Sequence, residues 1–491
     1  MIGSPSKTAD GGKADPTFSR TFLVYGLGSV SRRLVGLLLI PIYTRLLSPS
    51  DYGVLSLLGV FTAVYLNLAD LGISVSILRF YIREKDEDDR RQVLSACLNI
   101  LALAAIPTLV AGAATPVISR ALLDDSKLWF LVAISMATGY LDLLMKVPMA
   151  PISSRQDSGL YVRIKLILTG MTLALSIFLV AFLKMGVLGV VLAQALTNGL
   201  AAAWLLSRYI PHPLPRPTRA TMKSILRYGL PFVPSGLSQF VLRLADRYIL
   251  KLFESMAVVG LYSVGYRLGE GLSTAADAFW MAWVPFAHRT AREDGGRRRL
   301  AEVGTTWFGL TILMAILLSL FSSEALRILT PPSYHAAARV VPVVAIGLAF
   351  FSFYPVAEVS LQISGRTGRI PIVNGAAAAL NVALNFILIP RMHILGAAWA
   401  TAIAYGVQFI GILWLGQRCF AIPFPYGRMF AAATVALATG IVGVEVDHRL
   451  ALLPAIGAKA LLFCIVVWVV VLLRLVSVGR IRRLMDSVRR A

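Results

Sequence analysis

Apolar stretches of roughly 18 to 26 residues recur along the chain from about residue 22 to residue 476, separated by short polar joints. Each is long enough to cross ~30 Å of hydrocarbon as a helix. About 14 can be counted, at about 22–43, 53–77, 93–113, 128–148, 160–183, 187–207, 225–250, 257–283, 302–322, 337–358, 370–390, 394–416, 428–447 and 451–476. Unbroken runs of this kind exclude a transmembrane barrel, whose strands are short and alternate polar with apolar positions. The pattern predicts an all-α membrane protein.

The pattern also restarts in its middle. An offset of 207 carries Gly53 onto Gly260, Ala69-Asp70 onto Ala276-Asp277, Pro148 onto Pro355, Val187-Leu188-Gly189 onto Ile394-Leu395-Gly396 and Ala193 onto Ala400. Single matches at one offset mean little, but five in order indicate duplication, the mark of transporters whose substrate site lies between two repeats. Each half holds six spans, an even number, so the copies run the same way and form two parallel six-helix lobes. The expected division is a disordered cytoplasmic tail at 1–20, an N-terminal lobe at 21–207, a Pro-rich linker at 208–224, a C-terminal lobe at 225–417, two extra transmembrane helices at 418–477 and a basic cytoplasmic tail at 478–491.

Composition agrees with the pattern: 57% of the 491 residues are hydrophobic, 15% are charged and the mean hydropathy is +0.74. The formal net charge of +22 first suggests nucleic acid, but the Lys and Arg residues lie in short loops between apolar spans. That distribution reports topology rather than a nucleic-acid partner: with the N-terminus cytoplasmic, about 27 fall on the cytoplasmic side and about 9 on the other. Both ends then face the cytoplasm. The first 20 residues lack the apolar core of a signal peptide. Cys97, Cys419 and Cys464 show neither a disulfide nor a metal spacing, and no Gly-rich phosphate loop followed by Lys-Ser/Thr is present. Directly ATP-driven transport is therefore not expected, and no cofactor is.

Several motifs carry a resemblance. Arg45-Leu46-Leu47-Ser48-Pro49-Ser50-Asp51-Tyr52-Gly53, its echo in Asp246-Arg247-Tyr248-Ile249-Leu250 with Val259-Gly260-Leu261-Tyr262-Ser263, and Leu395-Gly396-Ala397-Ala398-Trp399-Ala400-Thr401-Ala402 resemble the polysaccharide flippases. These are the Wzx-like members of the multidrug/oligosaccharidyl-lipid/polysaccharide (MOP) exporter superfamily, which also holds the MATE-like exporters. The resemblance spans about residues 20 to 475. It implies a V-shaped pair of lobes in the cell inner membrane that moves a polyprenyl-diphosphate-linked oligosaccharide from the cytoplasmic to the outer leaflet by alternating access, for polysaccharide or lipopolysaccharide biosynthesis. Its partners would be the lipid-linked oligosaccharide, membrane lipids and the glycan polymerase machinery. By analogy with the related lipid II flippases, the two extra helices would form a groove for the lipid tail.

Charges inside spans are costly and usually face a bundle interior or a wet cavity. A diphosphate suits arginine, whose planar fork donates two parallel hydrogen bonds and stays charged when partly desolvated. Arg32, Arg33, Arg243, Arg247 and Arg267 are the substrate-binding candidates. The same side chains have a second reading as internal partners of nearby carboxylates. Asp70, Asp246, Glu270, Asp277 and Glu358 are candidates for ion coupling or gating, with protons, sodium or the membrane potential as the energy source. Asp142 and Lys146, spaced i,i+4, are placed to neutralise each other. Two other functions compete. A cation-coupled multidrug exporter of the same superfamily would need an acidic or aromatic pocket, and a membrane glycan polymerase or ligase would need a large exported loop.

Overall fold

The computed structural model describes residues 39–154, 158–211 and 213–476. The two expected tails, and with them Arg32 and Arg33, lie outside the described residues. Within the described chain the fold is all-α. The first helix is seen from residue 39 to 46 (α1). The N-terminal lobe continues with α2 (Pro49–Ala69), α3 (Ile73–Arg83), α4 (Glu87–Ala113), a short α5 (Thr115–Leu123), α6 (Trp129–Ser154), α7 (Ser158–Ile177) and α8 (Gly186–Tyr209). A short α9 (Arg219–Gly229) leads into α10 (Phe232–Phe253), α11 (Met256–Thr290), α12 (Gly296–Leu320), a short α13 (Ser322–Leu329), α14 (Val341–Ile363), α15 (Ile370–Met392) and α16 (Ile394–Cys419). The pair α17 (Tyr426–Arg449) and α18 (Leu452–Leu472) closes the chain.

Eleven of these helices are long and apolar enough to cross a membrane. α10 and α11 are not among the eleven because charges lower their hydropathy: Arg243, Asp246, Arg247 and Lys251 on one, Arg267, Glu270 and Asp277 on the other. These two helices and α1 make the set compatible with about 14 crossings.

Two expected spans are broken where the sequence carries a breaker. The second starts earlier than the hydropathy pattern predicts: Pro49 takes the first helical position, and Ser48 with Asp51 forms a reciprocal capping box, the Ser48 hydroxyl accepting from the Asp51 N–H at 3.2 Å and the Asp51 carboxylate accepting from the Ser48 N–H at 3.0 Å. It also ends earlier, at Ala69, because Leu71 (φ 47°) and Gly72 (φ 78°) take left-handed conformations. Asp70 is thus a helix end, not a mid-span residue. The seventh span divides at Leu230-Pro231 into amphipathic α9 and membrane-length α10. α11 needs no such break, and its 35 residues reach about 50 Å, well past the hydrocarbon core.

The duplication has a direct structural signature. α2 packs closely on α11, its equivalent in the second lobe. The Ser263 hydroxyl donates to that of Ser56 at 2.7 Å, between residues 207 apart. On either side of this bond the backbones meet at glycine. A Cβ at Gly53 would lie 2.0 Å from the Met256 carbonyl oxygen, and one at Gly260 would lie 1.9 Å from the Pro49 carbonyl oxygen. The two contacts exchange under the same offset, as contacts across a two-fold axis do. Short helices α5 and α13 also begin at positions related by this offset.

Gly260→Ala is expected to force α2 and α11 apart and destabilise the protein by about 1–3 kcal/mol. Gly271→Ala on the same helix, which meets nothing within 4 Å, is expected to be neutral or stabilising. Thermal unfolding of the two variants in one detergent checks the difference.

Candidate functional site

α10 carries Asp246 and Arg247 into the interior, with α2 of the first lobe and α11, α15 and α16 of the second packed against it. Asp246 is fully buried. It accepts the Arg247 backbone N–H at 2.8 Å, the Arg247 guanidinium at 3.2 Å, the Thr401 hydroxyl at 3.3 Å and the Tyr262 hydroxyl. The Arg247 guanidinium also donates to the Arg243 carbonyl at 2.8 Å and lies 4.4 Å from the centre of the Tyr266 ring. Asn381 donates to Thr401 at 3.4 Å, and Asn385 to the Asn381 carbonyl at 2.8 Å. Every charge here has a partner, which is the condition under which a buried ion pair is tolerated. Arg247 is held as an internal counter-ion to Asp246, the second of the two readings its sequence position allowed.

The neighbouring arginines are placed differently. Arg243, one turn earlier on α10, is exposed, with its guanidinium 4.7 Å over the Phe351 ring. Arg267 on α11 donates to the Tyr52 hydroxyl of α2 at 3.1 Å, so it stands on the seam between the lobes. Glu270, one turn further along, is exposed and within electrostatic reach of both Arg247 and Arg267.

The two aspartates related by the repeat have diverged. Asp277 is half-buried within the unbroken α11. Asp70, at the end of α2, accepts the Ser74 N–H at 3.2 Å and the Ser74 hydroxyl, with the Lys146 ammonium 3.5 Å away. Lys146 donates to Ser74 at 2.7 Å. The expected Asp142–Lys146 pairing gives way to this contact between helices, because the break after α2 brings Asp70 and Ser74 to the face of α6 that carries Lys146. Asn67, Asp70, Ser74 and Lys146 line one wall of a cavity of about 490 Å³, with Gly236 and Gln239 of α10 on the other. The Asn67 side-chain oxygen is buried there without a hydrogen-bond partner among the described residues. Glu358 stands apart, half-buried on α14, and accepts from Gln362 at 3.1 Å.

Two further features involve the extra helix pair. The first is an apolar groove of about 380 Å³ between α12, α14, α16 and α17, lined by residues including Ile316, Phe350, Phe353, Trp399, Leu437 and Ile441. The second, which the sequence reading did not anticipate, is a charge cluster centred on a buried lysine, with Glu324 buried and Asp447 exposed. The Lys459 ammonium on α18 is fully enclosed and bonds Glu324 of α13 at 2.9 Å and Asp447 of α17 at 2.5 Å. The signal was available, since Lys459 is the lone charge in α18, but its partners come from other helices.

Residues 18–291 match the family of polysaccharide biosynthesis proteins, a span of more than half the chain. The chain belongs to that family. Residues 294–387 match the MatE family. The polysaccharide biosynthesis fold superposes on the lipid II flippase MurJ in an inward closed conformation, with a TM-score of 0.71 and 14% identity over 94% of this chain and 99% of that one. An inward-facing MATE multidrug resistance transporter of the MOP superfamily gives a TM-score of 0.63 and 15% identity over 80% of this chain and 97% of that one. The expected MOP-type fold is thereby established. An uncharacterized membrane protein of Methanocaldococcus jannaschii is 25% identical over 203 residues, and the match spans 40% of each chain.

Arg247→Met leaves Asp246 buried and unpaired, so it is expected to destabilise by about 3–5 kcal/mol and lower the amount of protein in the membrane. Asp246→Asn/Arg247→Met removes both charges and is expected to recover most of that loss, as read by thermal unfolding and by immunoblot of the membrane fraction.

Proposed function

We propose that this chain is an inner-membrane flippase that moves a polyprenyl-diphosphate-linked oligosaccharide from the cytoplasmic to the outer leaflet by alternating access. The observation that carries the reading is the separation, within one polysaccharide biosynthesis protein, of a cavity shared between the lobes that presents Asn67, Asp70, Ser74, Lys146 and Gln239 from an apolar groove beside the extra helix pair. A cargo with a polar head and a long hydrocarbon tail needs both environments, because burying either end in the other's medium costs several kcal/mol. The cavity between Asn67, Lys146 and Gln239 would receive the glycan, and the groove against α17 would receive the prenyl chain.

Within this reading Arg243 and Arg267 bind the diphosphate. Neither is engaged by a carboxylate at ion-pair distance among the described residues, so each has donors to offer an incoming phosphate. Arg247 instead fixes the α10 backbone that presents Arg243. Asp70, Asp246, Glu270, Asp277 and Glu358 supply carboxylates for coupling to protons, sodium or the membrane potential.

Arg243→Ala and Arg267→Ala are expected to cut glycan export roughly 10- to 100-fold, the loss of one charge-assisted contact of about 1.5–3 kcal/mol, with protein abundance unchanged. Lysine at either position restores part of it, since charge remains but the two-pronged geometry does not. Surface-glycan labelling measured together with abundance checks this. Wild-type export by both alanine variants would remove these residues from the headgroup site. Ala436→Trp, which fills the groove, is expected to reduce export in the same assay.

A further inference from the structure

The cluster around Lys459 sits where three otherwise separate parts of the molecule meet. Lys459 bonds both oxygens of Glu324, at 2.9 and 3.1 Å, and Asp447 at 2.5 Å. The Ser323 hydroxyl donates to the other Asp447 oxygen at 3.1 Å. Asp447 stands one turn beyond Val444, the last groove-lining residue of α17. Glu324 stands on α13, which packs against the 3₁₀ turn Pro332–Val340. From that turn the buried Tyr334 hydroxyl crosses to the first lobe and donates to the Leu47 carbonyl at 2.9 Å. The Tyr334 ring also meets the edge of Tyr52, its centre 6.1 Å away, and Tyr52 is the residue that holds Arg267.

An enclosed ammonium between two carboxylates is an expensive way to attach a helix pair, since van der Waals packing of apolar faces suffices in a membrane. Charge adds a fixed geometry: the buried Lys459 stays satisfied by Glu324 and Asp447 together only in one relative position of α13, α17 and α18. The first lobe repeats the arrangement in a different form. There Asp124, just past α5, pairs with Lys251 of α10 at 2.5 Å, and Lys251 also donates to the Ala121 carbonyl at 3.0 Å. Each short helix at this end of the molecule is pinned by a buried lysine, α5 to the opposite lobe and α13 to the extra pair.

We infer that Lys459 is a positioning residue for transport: through Glu324 and Asp447 it latches α13 to the α17–α18 pair, and so holds closed the Tyr334–Leu47 contact between the lobes. A shift of α17 away from the groove breaks the triad and releases that seam. The latch does not depend on which cargo fills the groove.

The test uses a background in which Cys97, Cys419 and Cys464 are replaced by Ala, with Ser50→Cys and Ser333→Cys added on exposed positions at the two sides of the seam. Spin labels on these two sites, with the protein in lipid nanodiscs, report the seam by double electron–electron resonance. The parent is expected to give a short-distance population, and Lys459→Met a longer one. Tyr334→Phe, which cuts the seam bond and leaves the cluster intact, is expected to lengthen the distance as well. If Lys459→Met does not accumulate, Glu324→Gln/Asp447→Asn/Lys459→Met carries no unpaired charge and is expected to give the longer distance. A folded Lys459 variant with the parental distribution would overturn the latch, even if its melting temperature fell. Undecaprenyl phosphate is then added to the parent. A longer distance supports both the latch and a lipid-filled groove. No change, while Lys459→Met still lengthens the distance, leaves the latch standing and counts against the lipid reading of the groove.

Discussion

The contact between α2 and α11 is the constraint on which the rest of the molecule depends. Two helices from separate lobes approach until backbone meets backbone, which glycine alone permits at Gly53 and Gly260. In a membrane no hydrophobic effect pushes helices together, so close approach of small residues and hydrogen bonds such as Ser56–Ser263 must supply the association. Because the contact is reciprocal, it fixes the lobes about one axis rather than one face. Everything that must lie between the lobes, Arg267 and the Asp70–Lys146 cavity included, takes its place from this pair.

The charges of the second lobe divide by their surroundings. Asp246 and Arg247 sit side by side on α10 and are enclosed, so they satisfy each other and their polar neighbours and contribute rigidity. Arg243, one turn away, reaches the surface over an aromatic ring. A helix thus carries structural and candidate binding charges within a single turn, and the packing of α2, α11, α15 and α16 around it tells them apart.

The extra helix pair has two roles. Its α17 completes the apolar groove, while α18 buries the one charge it contains against α13. The helix α14 contributes a facing wall of the groove through Phe350 and Phe353. Pro355 lies inside α14 and has no N–H to offer the Phe351 carbonyl one turn earlier; on the same stretch Trp307 donates to the Ser352 carbonyl at 2.9 Å and Trp283 to the Pro355 carbonyl at 3.2 Å, tying α12 and α11 to α14.

The sequence by itself determined the class, the duplication and the candidate charges. Apolar run length is dictated by bilayer thickness, and a repeat offset survives as residue identity at places such as Gly53/Gly260 where geometry allows nothing else. The breaks at Gly72 and Pro231 came with the structure, although both arise from local backbone preferences. Partnership was not legible. The i,i+4 spacing of Asp142 and Lys146 is a local rule, and Lys146 instead found Asp70, 76 residues away; Lys459 found Glu324, 135 residues away. Which charge faces which is settled by where helices cross, and the crossings follow from side-chain packing that hydropathy does not encode. The tertiary structure alone decided that Arg247 is locked, that Arg267 stands on the seam, and that the lone lysine of the last helix is a buried clasp.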